Sequence, residues 1–193
     1  MALLRADPRT ALATRRLGAA VAAFVLALFA AAAVRAQPTL EYAVKANYLY
    51  RFTPFVEWPR RAFASPADPF NICIVGHDPF GRSLDEAVRG KLVAEHAIAV
   101  RRLSVAEKGM NCHLMFAGRS KSQSLGQMLL AVAGQPVLTV ADAGAGAQGA
   151  MIRFVLQQGR VRFDIDAAAA VANGLEISSK LQSLAVSRRE GAP

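Results

Sequence analysis

Four short apolar runs, at about 70–76, 97–103, 112–117 and 136–141, alternate with segments of helical patterning, and this alternation restricts the folds open to the chain. Parallel neighbours need a crossover long enough to hold a helix, so the spacing predicts an α/β arrangement whose first half is largely parallel. Phe70 to Gly76 reads as a buried strand bounded by Pro69 and Gly76. A helix is expected over Pro79 to Val88, with Asp78 as its cap and Pro79 in the first turn. Another is expected over Ser122 to Val132, ending at Gly134. Ahead of the first strand, Thr39 can cap a helix on which Leu40, Val44, Tyr48 and Phe52 recur at fourfold spacing as one apolar stripe. Pro54 should end that helix, because it lacks the backbone donor and clashes with the preceding turn. Phe55 to Pro59 follows as an apolar exit.

The last third changes period. Met151 to Leu156 and Arg160 to Ile165 alternate apolar and polar residues about Gln158-Gly159, the pattern of a β-hairpin. With those two residues as the loop, Phe154 pairs with Phe163, Ile152 with Ile165 and Leu156 with Val161, all on one side. On the other side Arg153 opposes Asp164 and Val155 opposes Arg162. An alanine-rich helix (Ala167 to Ala172), an Asn173-Gly174 stop, a short strand at Leu175 to Ile177 and a terminal turn at Lys180 to Ala185 complete the pattern. Arg188 to Pro193 is expected to fray.

The first 36 residues read as a secretory signal peptide. Arg5, Arg9, Arg15 and Arg16 precede an uncharged stretch from Leu17 to Val34, and Val34-Arg35-Ala36 offers small residues for cleavage after Ala36. Leu17-Gly18 stand where a twin-arginine signal has a large apolar pair, which favours the general secretory route. The expected mature domain is 37–193, long enough to bury one core. The whole chain carries +9; without 1–36, which hold five Arg against Asp7, 18 basic residues face 13 acidic ones, +5. No run of Lys and Arg interleaved with aromatics remains, so a nucleic-acid partner is not expected.

Cys73 and Cys112 each fall in an expected strand, and an even pair in an exported chain reads as a disulfide. The alternative is two buried thiols acting as small hydrophobes. His77, His96 and His113 have no metal-ligand spacing, so no metal or cofactor is expected, and satisfied structural histidines are the default. A hydrolase would have to use His77 and Asp78, without the elbow motif that presents a nucleophilic serine. The Gly76 to Gly81 loop resembles a phosphate loop only in outline, and Asp78 would repel a phosphate there. Trp58, with Arg60 and Arg61, can stack on and pair with a planar or anionic ligand. The competing reading packs Trp58 against the end of the first helix and leaves the arginines solvated.

The order of segments resembles the YfiR-like family of periplasmic proteins. The resemblance rests on Val44-Lys45-Ala46-Asn47-Tyr48-Leu49-Tyr50-Arg51-Phe52, Phe55-Val56-Glu57-Trp58-Pro59, Phe70 to Gly76 with Asp78-Pro79-Phe80-Gly81, and Arg101-Arg102-Leu103. It continues through Cys112-His113-Leu114-Met115-Phe116, Val137 to Val140, Gly149 to Ile152, Val161-Arg162-Phe163 and Gly174 to Leu181, about 41–186 in all. It implies a single-domain α/β sandwich with a mixed, partly parallel sheet, an N-terminal helix and a C-terminal β-hairpin. It also implies a non-enzymatic periplasmic protein that binds and inhibits an inner-membrane diguanylate cyclase, lowering cyclic di-GMP and biofilm formation. The pair Cys73/Cys112 matches the family's positions. No second cysteine pair of the kind some members carry near the hairpin is present, so the resemblance does not extend to strong redox control.

Arg153, Val155, Arg162 and Asp164 on the hairpin's outer face are the expected partner-binding residues, with Glu176 on a short strand laid beside it. A solvated, salt-bridged face is the competing reading. The alternative function is a periplasmic binding protein for a small aromatic or anionic solute near Trp58, Arg60 and Arg61. Both readings leave room for a homodimer.

Overall fold

The computed structural model describes residues 40–63, 65–144 and 147–189. The expected leader, the Thr39 cap and residues 190–193 lie outside them. Helix α1 (Leu40–Phe52) has Glu41 in its first turn and Arg51 in its last, matching the helix dipole at both ends. Its buried face is Lys45, Ala46, Leu49 and Phe52 rather than the fourfold stripe, and Leu40 and Val44 are exposed. The reason is geometric: four residues turn a helix by about 400°, so a strict fourfold stripe drifts about 40° per step. Pro54 ends α1 as expected, in a 3-10 turn at Thr53–Phe55. The apolar exit then forms strand β1 (Val56–Glu57).

The remaining strands are β2 (Phe70–Val75), β3 (Leu92–Val93), β4 (His96–Leu103), β5 (Leu114–Ala117), β6 (Leu138–Asp142), β7 (Ile152–Gln157), β8 (Arg160–Asp166), β9 (Glu176–Ile177) and β10 (Arg188–Arg189). The helices between them are α2 (Arg82–Val88), α3 (Leu125–Ala131), α4 (Ala167–Ala172) and α5 (Ser179–Gln182). Two helices start later than expected. Gly81, at φ 50°, interrupts the first, so Asp78 caps the turn before it, accepting from the Phe80 and Gly81 amides at 2.8 and 3.2 Å. Ser124 and Gln127 form a capping box at the second.

The main sheet runs β10-β8-β7-β6-β5-β2-β4-β3. Strands β4, β2, β5, β6 and β7 are mutually parallel, β8 runs against β7, and β3 runs against β4. The chain passes from β2 outward to β4 and then returns across β2 to β5, so the order reverses between β2 and β5. Successive side chains serve opposite faces. Ile72, Ile74, Leu114, Phe116, Leu138 and Val140 join the core that holds Leu49 and Phe52 of α1, Leu84 of α2 and Ala170 of α4. Cys73, Val75, Met115 and Ala117 join a second core under Met128 of α3. Helices therefore cover both faces of a mixed sheet, the α/β sandwich expected.

The hairpin has the expected register, with Phe154 opposite Phe163, Arg153 opposite Asp164 and Val155 opposite Arg162. Gln158 and Gly159 both have positive φ (51° and 71°), the requirement of a type I′ turn. Strand β10 pairs in parallel with β8, so Arg188 and Arg189 belong to the sheet rather than to a frayed end. Cys73 and Cys112 are bridged, with Cα atoms 5.9 Å apart and a sequence separation of 39. Cys112, expected inside the strand, stands two residues ahead of it, since β5 begins at Leu114. A loop of that length corresponds to roughly 3–4 kcal/mol of stabilisation in the chain-entropy model.

Past their last residues β2 and β5 stay locked together. Gly118 N donates to Val75 O at 2.8 Å, and His77 N donates to Arg119 O at 2.7 Å. A Cβ at Gly118 would lie 2.3 Å from His77 O, and one at Gly76 would lie 2.7 Å from Arg119 O. Backbone cannot swing away as a side-chain tip can. Gly118→Ala should therefore cost about 1–3 kcal/mol in chemical denaturation, the usual range for overpacking. Gly126→Ala, on exposed α3 with nothing within 4 Å, should gain up to about 1 kcal/mol.

Candidate functional site

At the amino ends of the parallel strands the structure builds an aromatic column. Phe63 stacks on His96 at 4.0 Å between ring centroids and on His113 at 4.6 Å, and Phe70 stacks on His113 at 4.9 Å. Trp58 packs edge-on against Phe70 at 5.1 Å, and its indole N–H donates to His113 O at 3.3 Å. The ring expected to meet a ligand is thus half-buried and packed on Phe70, with its donor bonded to the backbone. Arg60 and Arg61 follow in a 3-10 turn (Arg60–Ala62), both exposed, with the Arg61 guanidinium 2.8 Å from where a Cβ on Gly174 would stand.

His113 is buried and fully bonded. Its Nδ1 accepts from Asn71 N at 2.9 Å, which leaves Nε2 to donate to Ala62 O at 2.9 Å, so the ring is neutral. Burial pushes its pKa below the usual imidazole value, and the nearby His96 lowers it further. Ala62 and Asp68 act in the opposite direction.

On the hairpin's outer face the expected residues divide. Arg153 pairs with Asp164 at 3.3 Å. Asp164 also accepts from Ser187 N and Oγ at 3.2 and 2.7 Å, which anchors the segment leading into β10. Val155 is half-buried and Arg162 exposed. Glu176 is not beside the hairpin. Strand β10 occupies the edge of β8, and β9 pairs with β1, which places Glu176 opposite Glu57 in a separate two-stranded sheet. At the hairpin's tip, exposed Leu156 meets Leu40, Val44 and Tyr48 of α1 around a groove of ≈ 590 Å³ that Arg160 and Arg162 border.

A further concavity, of ≈ 460 Å³, opens at the carboxyl ends of β2, β5 and β6, where the strand order reverses. Tyr42, Pro79 and Phe116 line it together with His77, Arg119, Lys121 and Asp142. Asp142 binds Lys45 Nζ at 2.5 Å and accepts from the Tyr42 hydroxyl at 2.8 Å, and Lys45 also pairs with Glu41 at 2.5 Å. Burial, reinforced by the hydrogen bond to Asp142, pushes Tyr42 up to about 12. The sequence shows Arg119 and Lys121 after an apolar run, but not that they face Tyr42 across the end of the sheet. Among the described residues, no group of three or more His, Cys, Asp and Glu side chains is placed to hold a metal. None of their helices is long and apolar enough to cross a membrane.

Residues 42–186 match the model of a family described as YfiR/HmsC-like. A comparison with curated proteins found no match.

A buried neutral histidine makes the fold less stable in acid. Below the ordinary imidazole pKa of about 6.5 the unfolded chain takes up a proton that the folded one refuses. Stability should therefore be full above that pH and decline as pH falls towards the lowered folded value, by at most about 1.4 kcal/mol per unit. His113→Gln should be less stable at pH 7.5 but should lose less between pH 6.5 and 5 in urea titrations.

Proposed function

The chain belongs to the YfiR/HmsC-like family, and from that membership we propose that it is a non-enzymatic periplasmic regulator. In this reading it binds the periplasmic part of an inner-membrane diguanylate cyclase, inhibits it and lowers cyclic di-GMP. The family match over 42–186 carries the reading, because it takes in every element from the first turn of α1 to α5. A signal peptide over 1–36, cleaved after Ala36, would deliver domain 37–193 to the periplasm, and the Cys73–Cys112 bridge suits that oxidising compartment. No catalytic residue or cofactor is assigned.

Inhibition requires a surface that binds one state of the cyclase better than another, since only differential affinity shifts an equilibrium. The hairpin suits that task. Arg162 and Val155 present a charge and an apolar contact on its outer face, and the groove beside its tip adds Leu156 and Arg160. Such charges set register and specificity more than raw affinity. Arg153 and Asp164 hold the hairpin and the approach to β10 together, so their part is to keep this surface in shape.

Deleting the gene in its own host should raise cyclic di-GMP, and re-expression should restore it. The exposed pair Arg160→Glu and Arg162→Glu should fold with an unchanged melting temperature yet leave cyclic di-GMP high. An unchanged level in the deletion strain would contradict the function. Full repression by the double variant would contradict the docking face alone.

A further inference from the structure

We infer that the crevice at the carboxyl ends of β2, β5 and β6 binds a small organic anion, a carboxylate or phosphate carried on a compact apolar body. The first argument is position. In an open α/β sheet, crossovers leave in opposite directions where the strand order reverses, and the diverging loops leave a crevice outside the carboxyl ends of the strands. Here the reversal lies between β2 and β5, and the two loops, joined by the His77 N–Arg119 O bond, part only beyond it, with His77 on one and Arg119 and Lys121 on the other. At ≈ 460 Å³ the crevice falls within the size range of small-molecule sites.

The lining then selects the ligand. Tyr42, Pro79 and Phe116 supply an apolar wall. Arg119 and Lys121 are exposed, and no ion-pair partner stands beside either among the described residues. Asp142 is the one carboxylate among the described lining residues, and both its oxygens are engaged, by Lys45 and by Tyr42. Glu41 and Asp142 share the single Lys45 ammonium, so that cluster keeps one negative charge against the two positive charges of Arg119 and Lys121. The balance at the mouth is positive. A metal cation would find no uncommitted carboxylate, and a phosphate seated on the start of α2 would meet Asp78, which already occupies the Phe80 and Gly81 amides. The anion therefore belongs with the loop after β5.

That loop is also held in advance. The bonds from Gly118 N to Val75 O and from His77 N to Arg119 O, with no room for a Cβ at Gly76 or Gly118, fix the backbone on which the cations stand. A preformed loop lowers the ordering cost of binding. This site lies at the opposite end of the strands from Trp58, Arg60 and Arg61 and does not depend on the cyclase reading.

The test is a titration of the purified mature protein by calorimetry and amide chemical shifts with benzoate, phenyl phosphate and, as a cation of similar shape, benzylammonium. Benzoate or phenyl phosphate should saturate and should shift the amides of 118–121. The variant Arg119→Ala with Lys121→Ala should bind at least tenfold more weakly, and Arg60→Ala with Arg61→Ala should bind as the parent does. The tighter of the two anions identifies the head group. Failure of both anions to saturate at millimolar concentration would overturn the inference. So would undiminished binding by the Arg119/Lys121 variant, or equal binding of benzylammonium.

Discussion

Lys45, 3% exposed, ties the first helix to the end of the sheet through its ammonium group. It is held between Glu41, one turn back on α1, and Asp142, the last residue of β6, at 2.5 Å from each. The Tyr42 ring lies 4.5 Å away and the Phe154 ring 5.6 Å away. Removing one member of a fully buried ion pair costs about 3–5 kcal/mol, because the remaining charge is left unpaired. The cost is less here, since the carboxylates are 31% and 34% open to water. The geometric consequence is larger than the energetic one. With Lys45 fixed, Tyr42 faces the crevice while Leu40 and Val44 face the groove at the hairpin's tip. One helix thus borders both the crevice proposed for an anion and the groove proposed for docking.

The hairpin was the most legible part of the fold, since two matched period-two strands around Gln158-Gly159 admit one register that buries Ile152, Phe154, Phe163 and Ile165 together. The alanine-rich α4 was equally plain, because Asn173-Gly174 ends it; that Asp166 caps it is seen only in the structure. Helix α1 was placed correctly but turned wrongly. Leu40 and Val44 read as core until the helical drift is followed, and the burial of Lys45 depends on Asp142, a carboxylate distant in sequence. The strand at Glu176 was legible as a strand but not in its partner. Which edge it joins depends on β10 covering β8, and nothing local to Glu176 encodes that.

The candidate sites show the same division. Trp58 announced itself as the single tryptophan, beside two arginines, yet its environment is the stacked column of His96, Phe63, His113 and Phe70. The disulfide was legible, because parity and compartment suffice to suggest it. The crevice was not, because it follows from strand order. Arg119 and Lys121 gain meaning only once β2 and β5 are neighbours and the chain is known to reverse between them.

The most direct test of the central claim is photocrosslinking in the native host. A photoreactive residue is placed at Arg162 on the hairpin or, for comparison, at Leu130, which is 75% exposed on α3. Position 162 should crosslink to a membrane-anchored diguanylate cyclase identified by mass spectrometry, and position 130 should not. No cyclase captured at 162, or equal capture at 130, would contradict docking through the hairpin.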